Sequence, residues 1–127
     1  MQGDDPASIH KLFQEAFNAG DIDSLVALYE PNAVLIVNRQ PVAGLQAIRA
    51  AYQDLLARRR RMILKTHSVV MFDDSLALLH GDWVLEPAAT DMTGKTTRGM
   101  SAEVVRRQAD GSWRFVIDNP YTPQPAN

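Results

Sequence analysis

The sequence predicts an α+β fold with helices packed on one face of a curved antiparallel sheet. Three observations predict it: helical periodicity fills the first half, β-rich stretches fill the second, and the two kinds of segment do not alternate. Between Pro6 and Ala19 the apolar residues Ile9, Leu12, Phe13, Ala16 and Phe17 recur at helical spacing. Asp4, Asp5 and Pro6 form an acidic, proline-bearing start, and Asn18, Ala19 and Gly20 form an end. Asp21 is placed to cap a shorter second helix with Ile22, Leu25, Val26, Leu28 and Tyr29 on its apolar face, stopped by Pro31 and Asn32. Ala33 to Val37 is a short β-branched run, too short for a helix, and reads as a buried strand before the turn-like stretch Asn38 to Pro41. After Gly44, the series Leu45, Ile48, Ala51, Tyr52, Leu55 and Leu56 restores the helical period and runs into Arg58, Arg59, Arg60 and Arg61, cations suited to a solvated helix C-terminus.

From Met62 onward the pattern changes. Residues 62–72, 75–86, 96–107 and 113–120 are β-rich and are separated by Asp73-Asp74, by residues 87–95 and by the turn signal Asp110-Gly111. Four strands joined in this way form an antiparallel meander. The proline-rich end, residues 120–127, is expected to fray or lie on the surface.

The chain of 127 residues has room for one core, so 1–127 is read as a single domain with its packed part spanning about residues 7–121. A net charge of -2 excludes a protein that binds chiefly by neutralising phosphates, so no nucleic acid partner is expected. With no cysteine there is no disulfide, thiolate metal cluster or cysteine nucleophile. The start Met1-Gln-Gly-Asp-Asp-Pro lacks the cationic and apolar regions of a secretory signal, and no window has the length of a membrane span. The expectation is a cytoplasmic protein with no membrane partner.

No phosphate loop, dinucleotide fingerprint, nucleophile elbow or HExxH is present, and no cofactor is expected. His10, His67 and His80 lie far apart; His80 and Asp82 share a strand face and read either as an exposed polar pair or as a remote candidate for metal-assisted hydrolysis, so no metal residues are assigned. Two acids are more informative. Strand alternation puts Glu103 on a face with Ser101 and Val105, and Asp118 with Val116. If Asp110-Gly111 closes a hairpin, both carboxyls meet one side of the sheet, where desolvation and mutual repulsion displace their pKa values. The structural alternative pairs each with one of Arg98, Arg106, Arg107 or Arg114. Phe13, Phe17, Tyr29, Tyr52 and Trp83 supply aromatic area that divides between core packing and pocket walls.

The strings Phe17-Asn-Ala-Gly-Asp-Ile-Asp-Ser-Leu-Val-Ala-Leu-Tyr, Ala33-Val, Gly44-Leu-Gln-Ala-Ile-Arg and the run from Glu103 through Asp118 resemble the nuclear transport factor 2 superfamily, specifically its SnoaL-like and ketosteroid-isomerase-like members. The resemblance extends from about Ile9 to Tyr121. It implies a cone-shaped, cystatin-like fold, with three N-terminal helices over a strongly curved sheet, an apolar pocket between them and a homodimer through the outer sheet face. It also implies departures from the steroid isomerase. The isomerase's tyrosine position falls on Phe13 and its base on Val37, neither of which handles a proton, while its protonated aspartate falls near Glu103.

The leading expectation is therefore a pocket for a small, largely apolar organic molecule, walled by Phe13, Phe17, Val37, Tyr52 and Trp83. Glu103 and Asp118 are its candidate catalytic residues, and proton transfer of an isomerase or cyclase kind is its candidate chemistry. The alternative is a dimerisation or partner-binding module of the same fold without catalysis.

Overall fold

The computed structural model describes residues 5–122. Helix α1 (Ser8–Ala19) buries Ile9, His10, Phe13, Ala16 and Phe17. It ends where Gly20 adopts φ 67°, a conformation that costs glycine little, with the Gly20 N–H donating to Phe17 O and the Asp21 N–H to Ala16 O. Asp21 then caps α2 (Ile22–Val26) by accepting from the Ser24 N–H at 3.1 Å. Strand β1 (Tyr29–Val37) and β2 (Gln40–Ala43) form a hairpin, after which α3 (Leu45–Ala57) crosses to the long strands β3 (Arg61–Met71), β4 (Leu76–Glu86), β5 (Thr97–Arg107) and β6 (Trp113–Asn119).

The six strands form one sheet in the order β2-β1-β6-β5-β4-β3. From β3 to β6 every pairing is antiparallel, the meander expected from the sequence. The sheet as a whole is mixed, because β6 returns beside β1 in the parallel sense, with Leu35 opposite Asp118. Only a long excursion through α3 and the meander allows that pairing. Register breaks at Thr66/Ser68, at Val104/Val105 and in β1 bend the sheet around the helices.

Three local expectations are corrected. Tyr29 belongs to β1 and not to the second helix: α2 stops at Val26, and the Phe115 N–H donates to Leu28 O at 2.7 Å as the chain joins β6. The stretch from Asn38 is a turn of only two residues, Asn38 and Arg39, both at positive φ, so Gln40 and Pro41 already lie in β2. The third helix ends at Ala57, short of the full arginine run. Arg60 is a staple as well as a surface cation: its Nη2 donates to Leu85 O, Lys95 O and Thr97 Oγ1, pinning the ends of the long β4–β5 connection. The chain end beyond Thr122 lies outside the described residues.

The core lies between α1, α3 and the concave face of the sheet. Phe13 sits at its centre, edge-on to Tyr52 and Phe115 with centroids 5.8 and 6.0 Å apart, and Tyr29 packs on Phe115 at 4.8 Å. Burying such rings contributes about 2–3 kcal/mol each by area, and the packed cluster holds the helices over the sheet.

Candidate functional site

Strand register builds the site. On the concave face Leu79, Glu103 and Asp118 stand side by side across β4, β5 and β6. Glu103 and Asp118 are direct cross-strand partners, so their Cβ atoms lie about 5 Å apart. Each is only 4% exposed. The neighbouring row on the same face is Thr66, Gly81 and Ser101.

Above these two rows lies a cavity of about 340 Å³. All seven residues singled out from the sequence line it: Phe13 and Phe17 from α1, Val37 from β1, Tyr52 from α3, Trp83 from β4, and the two acids. Trp83 lies flat because its cross-strand partner is Gly99, where a methyl group would run into the indole. The indole Nε1 donates to Pro120 O at 2.7 Å, which fixes the ring as a wall. At the outer end the lining residues Asn38, Asp54, Arg58 and Tyr121 are exposed, so the cavity communicates with solvent there.

The acids have different surroundings. The Tyr29 hydroxyl donates to Asp118 Oδ2 and is itself in contact with the Tyr52 hydroxyl, forming a buried chain of three groups. Burial, followed by the nearby charge of Glu103, pushes Asp118 up from 3.8 to about 8, against the opposing pull of the two tyrosine hydroxyls. Burial also drives both tyrosines well above their ordinary value, so they act as neutral hydrogen-bond groups. Asp118 is therefore a neutral acid at pH 7, with one O–H to donate.

Glu103 is held from both sides. Ser101 Oγ donates to Oε2 at 2.8 Å, and His10 Nε2 lies 3.1 Å from Oε1. The other imidazole nitrogen, Nδ1, meets Thr66 Oγ1 at 2.8 Å. Two of the arginines weighed as partners for the acids are engaged elsewhere: Arg106 binds Glu30 at 3.0 Å and Arg107 lies over Trp113. His80 and Asp82 take separate partners, Ser68 at 2.9 Å and His67 at 3.3 Å. No group of three or more His, Asp or Glu side chains that could hold a metal ion occurs among the described residues.

Two participants escaped the sequence reading. His10 is 2% exposed, and its spacing of three and seven residues from Phe13 and Phe17 already put it on the buried face of α1. Tyr29 was concealed by its assignment to a helix; in β1 it faces Phe115 and reaches Asp118.

A model of the SnoaL-like domain matches residues 9–116. No curated protein matches the chain at a significant level. Among solved structures, an NTF-2 like protein of unknown function from Shewanella oneidensis superposes with a TM-score of 0.80 at 23% identity, covering 96% of this chain and 100% of that one. A ketosteroid isomerase-like protein from Erwinia carotovora atroseptica gives 0.74 at 20% identity, covering 94% and 95%. A domain of unknown function with a cystatin-like fold from Nostoc punctiforme gives 0.77 at 17% identity, covering 94% and 75%. At these identities the likeness concerns the fold.

Proposed function

The chain belongs to the SnoaL-like domain family, within the NTF2-like superfamily, and from that premise we propose that its cavity binds a small, largely apolar carbonyl compound and moves a proton on it. The observation that carries this reading is the pair of buried carboxyl groups side by side on the cavity floor. Asp118, with Oδ2 accepting from Tyr29, offers its own O–H to the ligand's carbonyl oxygen. Glu103 accepts a proton from the adjacent carbon and returns it elsewhere on the enol, an isomerase- or cyclase-type step. Phe13, Phe17, Val37, Tyr52 and Trp83 hold the apolar body and exclude water, which strengthens both polar contacts. The cavity of about 340 Å³ above the acids, and the hold of Ser101 and His10 on Glu103, favour this reading over a purely structural module.

The test is deuterium incorporation into β-tetralone, a bicyclic ketone with acidic α-protons, in D2O buffer. Incorporation above the buffer rate supports the reading; wild-type protein that binds the ketone yet leaves that rate unchanged contradicts it.

In this reading the chain acts as one domain and works in the cytoplasm as a homodimer. The convex face of the sheet carries an unbroken apolar row, Val70, Leu78, Val104, Ile117 and Val34, one residue from each of five strands. Val70, Leu78 and Ile117 are 55%, 37% and 43% exposed. A second copy supplies an identical uncharged row and needs no charge complement, the isologous arrangement a two-fold axis produces. Light scattering is expected to give twice the 14.1 kDa chain mass for wild type and the single chain mass for Ile117→Lys. Monomeric wild type would contradict the dimer.

A further inference from the structure

The proton-transfer reading leaves His10 and Thr66 without a task, although the fold makes special provision for both. The imidazole lies over Gly81, where a methyl group would come within 3.2 Å of His10 Cε1 and 2.7 Å of Ser101 Oγ. Any side chain at position 81 would therefore crowd the histidine and the serine that grips Glu103. On β3 the register break at His67 keeps Thr66 opposite Gly81, on the concave face, while Ser68 turns outward beside His80. The irregularity thus aims the Thr66 hydroxyl at His10 Nδ1, 2.8 Å away. His10 is 2% exposed and Glu103 4%, whereas Thr66 is an exposed residue.

We propose that Thr66 and His10 form a proton route through the wall between α1 and β3, linking Glu103 in the cavity to bulk solvent. The proposal deepens the reading of Glu103 as the cavity base. A proton on Glu103 Oε1 passes to Nε2 of the imidazole in its Nδ1–H form. The resulting imidazolium gives its Nδ1 proton to Thr66 Oγ1, which releases its own hydroxyl proton to a water molecule. A carboxylate and an Nε2–H imidazole remain, and one proton has reached solvent; the reverse sequence carries one in. Such a route matters most when an apolar ligand fills the cavity, because water at the open end is then displaced from the acids. His10 and Thr66 act through Glu103 and do not touch the ligand in this scheme.

The experiment uses the full chain labelled with nitrogen-15 and reads the exchange of the His10 imidazole N–H with water by NMR. Thr66→Val keeps the size of an exposed side chain and removes the hydroxyl; Thr66→Ser restores it. The expected result is exchange slowed at least about tenfold in Thr66→Val, the scale of one lost hydrogen bond, and wild-type exchange in Thr66→Ser. Exchange in Thr66→Val as fast as wild type, or faster, overturns the route. The same variants in the β-tetralone assay separate the two ideas. Slowed imidazole exchange, with Glu103→Gln leaving deuterium incorporation untouched, overturns the reading of Glu103 as base and leaves the route standing. Unchanged imidazole exchange, with incorporation still dependent on Glu103, overturns the route alone.

Discussion

Replacing Glu103 with Gln is expected to lower deuterium incorporation into β-tetralone by roughly 10²–10⁴-fold, the range a positioned general base contributes. Glutamine preserves the shape of the side chain, and its amide oxygen still accepts from Ser101 Oγ, which lies 2.8 Å from Glu103 Oε2 in the wild type. What it loses is the capacity to take a proton at that point. Binding of the ketone, followed by its effect on thermal unfolding, should change little, because the walls that hold the apolar body remain. A loss of rate with retained binding separates chemistry from packing. Equal rates in the two proteins would remove Glu103 from the proton-transfer step.

The second large effect concerns stability. A buried acid whose proton is bound more tightly in the folded than in the unfolded chain makes folding harder as pH rises. Burial and the charge of Glu103 push Asp118 up from the ordinary aspartate value of 3.8, which serves for the unfolded chain, to about 8 in the folded one. Between those values the unfolded chain binds fewer protons, so the contribution to stability falls with increasing pH, by up to about 1.4 kcal/mol per pH unit. Below that window the contribution is fully present, and above it no more is lost. Urea unfolding of wild type should therefore show a midpoint that drops from pH 5 to pH 8. In Asp118→Asn, where the amide oxygen can still accept from Tyr29, this component of the slope should vanish. Parallel pH profiles for the two proteins would contradict the assignment of a neutral acid at position 118.

Much of this arrangement was legible in the sequence because strand alternation is a strong constraint. Once Asp110-Gly111 marked a hairpin, the faces of Glu103 and Asp118 followed, and the four strand runs from Met62 onward match β3 to β6 closely. The aromatic wall was legible for a related reason: Phe13 and Phe17 share a helical face, and Tyr52 falls on the buried face of α3. Tyr29 was not, since Leu25, Val26, Leu28 and Tyr29 continue the helical period, and only the parallel pairing with β6 decides for a strand. That pairing is non-local, and no pattern within α2 or β1 announces it.

His10 was lost for a different reason. A histidine at a buried helical position looks like any other member of an apolar stripe until the opposite wall is known. Its partners, Thr66 and Glu103, lie 56 and 93 residues away. The slot that admits it depends on Gly81, a glycine within a long strand whose meaning emerges only when Ser101 and His10 are seen to occupy the missing volume. Arg60 follows the same logic: as one of four consecutive arginines it reads as a solvated helix end, yet its bonds to Leu85, Lys95 and Thr97 connect elements that the local sequence does not relate.

The site depends on a buried carboxyl group at Asp118, beneath an apolar cavity, whose proton is held by burial and by the charge of Glu103 beside it. Carbon-13 NMR of the carboxyl carbons, titrated from acid to mildly alkaline pH with Asp118→Asn as the assignment control, measures this at the group concerned. The account predicts a midpoint for Asp118 of about 8. A midpoint near the ordinary aspartate value of 3.8 would show a solvated, ionised side chain and contradict it.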